Sequence, residues 1–314
     1  MLKRYLLALL LFAAAAAPVF AAVNIAVVKS RDIPAYDEAL KGFREALHQK
    51  GIEFQEADYT LGEGPSSAAS IIAELRSKRP DLILTIGSIA TKAVKDKVKD
   101  IPVVFCLVLD PVGSGIVPSM ESSGSNLTGV SLDIPLSVQF KLIKRVFPDR
   151  KRIGVLFNPS ENGRIITRAA LDADKLGLEL VPVKVTSMAD VPEAVDTLMP
   201  KIDILWAVAD STVLSSQSIQ YIIISAIHNG IPFVGFSSAY TKAGAVMAFS
   251  LDYRDIGRQA GESASAAISG TPPMNLPIAS PRNAGYSLNL NSAKTKGLVI
   301  PPAMVKGARE VINE

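Results

Sequence analysis

The sequence predicts an α/β chain of two similar lobes, each built on a parallel sheet with helices on both faces. Three observations predict it. Short apolar, β-branched runs alternate with helix-length segments from Val23 to about Tyr253, the pattern of consecutive βα units. The roughly 290 residues left after an N-terminal leader exceed what one hydrophobic core usually serves. Segments of the first half also recur in the second at a spacing of about 120 to 130 residues. Ile25-Ala26-Val27-Val28 matches Ile153-Gly154-Val155-Leu156, Asp81-Leu82-Ile83-Leu84 matches Asp203-Ile204-Leu205-Trp206, and Ile101-Pro102-Val103 matches Ile231-Pro232-Phe233.

In chain order, residues 1–21 read as a cleavable signal peptide. Lys3 and Arg4 precede an apolar run, and small Ala21 closes it. With no cysteine near the cleavage point, a lipid anchor is not expected. The first lobe's strands are expected at 24–28, 53–59, 82–86 and 103–108, with helices at 36–49, 66–78 and 89–98. The first helix gathers Ala39, Leu40, Phe43, Ala46 and Leu47 on one face. The second lobe repeats the theme, with strands at 153–157, 179–185, 204–208 and 233–236 and helices near 163–176, 191–199 and 213–228. After it come a helix at 256–268, a stretch carrying Pro272, Pro273, Pro277 and Pro281, a strand at 286–290 and the pair Pro301-Pro302. These prolines suggest stiff, extended chain crossing back between lobes. The expected lobes are 22–131 with about 252–284, and 132–251 with about 285–314.

Composition excludes several classes. Net charge is +3, near neutral once Lys3 and Arg4 are gone, with acids and bases interspersed, so nothing points to nucleic acid or an anionic membrane. A DNA-binding helix pair has no place where the leader stands. Cys106, the one cysteine, sits in an apolar run and reads as a core residue. The chain has no Gly-rich dinucleotide fingerprint, no phosphate loop, no Gly-x-Ser-x-Gly elbow and no His/Cys cluster at metal spacing. No cofactor or metal is implied. His48 and His228 fall near helix C-termini, where the dipole favours them. An exported hydrolase using Asp110 and Asp210 is the remaining enzymatic reading.

Ligands of open parallel sheets sit outside the carboxyl ends of the strands. In the first lobe those ends carry Ser30, Arg31, Ser88, Thr91 and Asp110; in the second, Asn158, Asp210, Ser211, Thr212 and Ser237. Each short polar residue is either a ligand contact or a helix cap. The internal match sets Ser88 opposite Asp210. Hydroxyls at a helix start suit a carboxylate and an aspartate suits an ammonium, so a zwitterion such as an amino acid is the expected ligand. Tyr36, Phe236, Tyr240, Phe249 and Tyr253 are candidates for an aromatic wall, with core packing the default for the phenylalanines, while Trp206 reads as core.

Three ordered blocks carry a resemblance: Asp110-Pro111-Val112-Gly113-Ser114-Gly115, Asn126-Leu127-Thr128-Gly129-Val130-Ser131, and Asn289-Leu290-Asn291-Ser292-Ala293 running on to Pro301. With further blocks at 152–159 and 231–253, the chain resembles the ABC transporter substrate-binding proteins, including tryptophan/tyrosine-type members. The resemblance implies a type I periplasmic-binding fold of two Rossmann-like lobes joined by three crossings and closing by hinge motion. It also implies a periplasmic partner of an ABC permease that binds an aromatic or branched-chain amino acid. A ligand-sensing module for a membrane receptor is the alternative use of the same fold. Arg31, in Ser30-Arg31-Asp32-Ile33-Pro34, departs from the family pattern and is either a carboxylate ligand or a solvated edge residue.

Overall fold

A computed structural model describes residues 22–62, 65–215 and 217–313. The expected signal peptide lies outside the described residues. Strands β1 (Val23–Lys29), β2 (Phe54–Thr60), β3 (Leu82–Ile86), β4 (Val103–Val108) and β5 (Leu127–Ser131) form a five-stranded parallel sheet in the order β2-β1-β3-β4-β5. Helices α1 (Pro34–Gln49), α2 (Pro65–Lys78) and α3 (Ser88–Lys95) connect it. β3 and β4 are buried along their whole length, because both faces of the sheet are covered. Ile25, Leu82 and Leu84 pack beneath α1; Ala26, Ile83 and Phe105 pack beneath α2 and α3. That two-sided burial explains why these strands are continuous apolar runs rather than alternating ones.

The chain then passes through α4 (Leu136–Val146) into β6 (Arg152–Phe157), α5 (Pro159–Asp174), β7 (Glu179–Lys184), α6 (Val191–Leu198), β8 (Ile204–Trp206), α7 (Ser218–His228), β9 (Phe233–Gly235), α8 (Ala239–Lys242) and β10 (Met247–Ser250). It continues through α9 (Tyr253–Ile268), β11 (Gly285–Asn289), α10 (Leu290–Thr295), α11 (Pro302–Gly307) and β12 (Glu310–Ile312). The second sheet has the order β12-β11-β10-β9-β8-β6-β7, with β10 and β11 antiparallel. Its run β7-β6-β8-β9-β10 reproduces β2-β1-β3-β4-β5, and the three matched segment pairs fall on equivalent strands. The match reaches single bonds. The Asp81 carboxylate accepts from Asn24 N at 2.8 Å, and the Asp203 carboxylate accepts from Arg152 N at 2.8 Å.

α9 follows the second sheet in sequence but packs on α1 in the first lobe. A Cβ on Gly257 would lie 1.8 Å from the Ala39 carbonyl oxygen, so the two backbones touch and only glycine fits. Beyond α9, Ala279 bridges Val130 at the β5 edge, and Ser131 N donates to Ala279 O at 2.8 Å. The chain therefore changes lobe between β5 and α4, between β10 and α9, and between Ala279 and β11. Pro281 belongs to this last run, and Pro277 just precedes it. The expectation that Pro301-Pro302 also crosses is corrected: Pro302 is the first residue of α11, where proline's fixed φ and missing N–H cost nothing.

Two further elements depart from expectation. The helix expected over 213–228 begins at Ser218, because the Asp210 carboxylate holds Thr212 N and Val213 N in a separate turn. At the end of β4, Leu107 has φ 55° and the register with β5 shifts between Phe105 and Val108. A bulge of this kind re-aims the strand end that follows it.

Candidate functional site

The carboxyl ends of the first sheet bring three of the expected residues together. Ser30 follows β1, and its Oγ accepts from Ala90 N at 2.9 Å in the first turn of α3. Gly87, between β3 and α3, has φ 91°, and a Cβ there would lie 2.2 Å from the Tyr36 hydroxyl oxygen and 2.7 Å from Ser30 Oγ. Tyr36 Oη, Ser30 Oγ and the half-buried Ser88 thus surround one turn. Thr91 is buried and turned toward the sheet: its hydroxyl donates to Gly87 O and pairs with Thr85 Oγ1, each at 2.9 Å. Its role is to tie the helix down. Arg31 is exposed and makes no ion pair among the described residues.

Asp110, two residues past β4, has φ 39°, a left-handed conformation that aspartate tolerates better than most residues. Its Oδ1 accepts from Gly113 N at 2.8 Å, and its own N–H donates to Asp133 Oδ2 at 2.7 Å. Asp133 lies just past β5, where the chain leaves for the second lobe. Burial raises its pKa, partly opposed by the Ser131 hydroxyl that donates to it at 2.7 Å. One carboxylate therefore joins a strand end to a crossing.

The second lobe assembles a denser network. Asn158 caps α5, its Oδ1 accepting from Ser160 N at 3.0 Å, and Pro159 opens the helix. Asp210 is buried, and four donors converge on it. Oδ2 accepts from Asn158 N at 2.7 Å and Asn162 Nδ2 at 2.9 Å; Oδ1 accepts from Thr212 N at 3.1 Å and Val213 N at 3.0 Å. The expectation of an open aspartate awaiting an ammonium does not match this arrangement, because the chain's own amides occupy the carboxylate. Ser211 and Thr212 turn to Glu161. Ser211 N and Oγ donate to its carboxylate at 2.9 and 2.6 Å, and Thr212 Oγ1 donates at 3.2 Å. The Ser211 hydroxyl, then its N–H, lowers the Glu161 pKa, so that exposed carboxylate is ionised at neutral pH.

Glu161 was missed among the sequence candidates, although Asn158-x-x-Glu161 has capping-box spacing. The box does not close, since Asp210 takes the Asn158 N–H and frees Glu161 to reach the neighbouring loop. Ser237 is half-buried, and its carbonyl accepts from Tyr240 N at 3.0 Å. Tyr253 is half-buried and packs on the first-lobe core, as Tyr36 does. Phe249 takes the core alternative: it is buried in the second core. Trp206 is core as expected, edge-on to Phe140 and donating to Gln139 Oε1 at 3.1 Å. Cys106 is wholly buried and its thiol is pushed up to about 12, which makes it inert at neutral pH.

Apolar side chains stand exposed beside these polar groups. Ile89 is 55% exposed at the start of α3, Leu109 47% at the end of β4, and Phe236 37% just after β9. Phe236 packs against Tyr240 with ring centroids 4.9 Å apart. Among the described residues no cluster of His, Cys, Asp or Glu could hold a metal, and no helix is long and apolar enough to cross a membrane.

Two parallel-sheet lobes joined by three crossings, with hydroxyls, amides and one open carboxylate at their strand ends, define a binding protein of the type I periplasmic fold. The chain belongs to the ABC transporter substrate binding protein family, whose sequence model matches residues 23–312. This is a family of substrate-binding proteins, not of enzymes. A tyrosine-binding protein of Clostridioides difficile strain R20291 is 31% identical over 265 residues, covering 81% of this chain and 75% of that protein. Among solved structures, the ligand-free, open form of a Clostridium difficile substrate-binding protein with adhesive properties is similar at TM-score 0.80 and 26% identity, covering 93% of this chain and 100% of that one. The ABC domain from Streptococcus pneumonia in complex with L-Trp is similar at TM-score 0.66 and 24% identity, with the same coverage.

Proposed function

We propose that this protein is exported and binds an amino acid with an aromatic or large apolar side chain, which it presents to the membrane permease of an ABC importer. The observation that carries the reading is the exposure of Ile89, Leu109 and Phe236 beside polar strand ends. Apolar surface next to a few oriented polar groups is what a small zwitterion with a large side chain needs. The 31% identity to a tyrosine-binding protein supports the same ligand class. On this reading the lobes comprise 22–131 with 252–284 and 132–251 with 285–314. The ligand lies between Ser30, Tyr36, Ser88 and Asp110 on one side and Asn158, Ser211, Thr212 and Ser237 on the other, with Tyr253 beside the second crossing. Its carboxylate is held on the first lobe, where Ser88 opens α3. The protein carries out binding alone and catalyses no reaction on the ligand.

A thermal-shift screen of the protein lacking residues 1–21 against the standard amino acids and common metabolites tests this. A ligand that binds only the folded state at a hundred times its Kd adds about 2.7 kcal/mol of stability, which reads as a rise of several degrees. Tyrosine, tryptophan or phenylalanine should give that rise. A rise with sugars, nucleosides or dicarboxylates alone would reject the amino-acid reading.

A further inference from the structure

The amino group of such a ligand needs an anion on the second lobe, and two carboxylates stand at its strand ends. They differ in what they have left to offer. Asp210 is buried and already receives four donors from Asn158, Asn162, Thr212 and Val213. An ammonium seated on it would have to displace backbone amides that fix the β8–α7 turn and the start of α5, leaving buried donors unpaired. Glu161 is exposed, and its bonds come from the Ser211 N–H and hydroxyl and from the Thr212 hydroxyl.

A hydroxyl that donates to a carboxylate keeps its oxygen lone pairs free. The exposed Ser211 therefore presents an acceptor next to a fixed negative charge, a pairing that matches an ammonium with several N–H donors. Thr212 Oγ1 is itself held by Asn158 Nδ2 at 2.8 Å, so the set is oriented before any ligand arrives.

We infer that Glu161, with Ser211, is the residue that selects ligands carrying a primary ammonium, and that Asp210 acts only as the scaffold holding the two loops in place. The inference rests on the amino-acid reading above and assigns the charge that reading requires. It makes Glu161 a specificity determinant rather than a general source of affinity. A deaminated analogue with the same ring and carboxylate would lose the contact and leave Glu161 facing water.

The test is titration calorimetry of wild-type protein and Glu161→Gln with L-tyrosine, L-tryptophan and their deaminated acids, hydroxyphenylpropanoate and indolepropanoate. Wild type should prefer each amino acid over its deaminated acid by about ten- to a hundredfold, the usual value of a charge-assisted hydrogen bond. In Glu161→Gln the preference should fall below about threefold, roughly half of one tenfold step in free energy, while affinity for the deaminated acid is retained. Because Glu161 is exposed, the variant's ligand-free melting temperature should stay within about 2 °C of wild type, as expected of surface substitutions. A variant that keeps the full preference overturns the assignment, and Ser211→Ala, which removes the paired hydroxyl, gives a second reading of the same ratio. Wild type that binds neither amino acid rejects the proposed ligand class itself, an outcome distinct from bound tyrosine with an unchanged ratio in the variant.

Discussion

Asp203 and Asp210 are both aspartates at the edges of β8, one before it and one after, and the chain uses both to join loops. Asp203 receives Arg152 N at 2.8 Å, Lys151 N at 3.1 Å and Arg152 Nη2 at 2.8 Å. The Arg152 hydrogen bond is the largest influence and lowers its pKa from 3.8 to about 2. A carboxylate whose pKa is depressed by folding stabilises the native state above its unfolded value and loses that contribution as pH falls through the folded one. The contribution of Asp203 should therefore be complete above about pH 5 and be lost progressively as pH falls through about 2 toward about pH 1. Comparing urea midpoints of wild type and Asp203→Asn across that window checks it: the gap between them should narrow as the solution is acidified. Most residues of the candidate site could be placed singly, because strand ends are visible in the sequence. What each carboxylate does was not visible there. Asp210 differs from Glu161 in burial and in its donors: Thr212 and Val213 are its near neighbours, but Asn158 N and Asn162 Nδ2 come from residues some fifty positions away.

At the scale of elements, continuous apolar runs gave β3 and β4 their full extents, since strands buried on both faces leave no polar alternation to blur the ends. The internal repeat was legible for the same reason: equivalent strands in two equivalent sheets meet the same burial. β5 and β10 were not read as strands; each is followed at once by a change of lobe. α9 was read as a helix, but nothing local announces that it packs on α1. The signal lies in Gly257 and Gly261, four apart on one face, and in Gly42 opposite. A Cβ on Gly257 would meet the Ala39 backbone at 1.8 Å, and the Ala39 side cannot yield without moving a helix. Gly257→Ala should therefore destabilise the protein by about 1–3 kcal/mol, the usual cost of overpacking, despite alanine's better helix propensity. A chemical denaturation midpoint shifted upward would contradict the backbone contact.

For the whole molecule, the passages between lobes decide how it moves. Arg282 anchors the last of them to α9 through Asp255 at 3.0 Å and Glu262 at 2.9 Å, and Arg309 of the second lobe pairs with Asp252 at 3.3 Å beside the second passage. Firmly tied ends concentrate any rotation in the few residues between them. A ligand that contacts both lobes favours the arrangement in which it touches both. Small-angle scattering should accordingly show a smaller radius of gyration for the protein saturated with the proposed amino-acid ligand. An unchanged profile at demonstrated saturation would remove closure from the account.

The return of α9 to α1 also orders events as the chain is made. Gly42 and Phe43 are in place early, yet the surface that covers them is encoded more than two hundred residues later. Until that helix is available, the first lobe has an open apolar flank, while the second has most of its strands. Completion of the N-terminal half thus waits on the last fifth of the chain, and a nascent or truncated chain ending before Tyr253 carries a sticky, unfinished half-molecule rather than an independent domain.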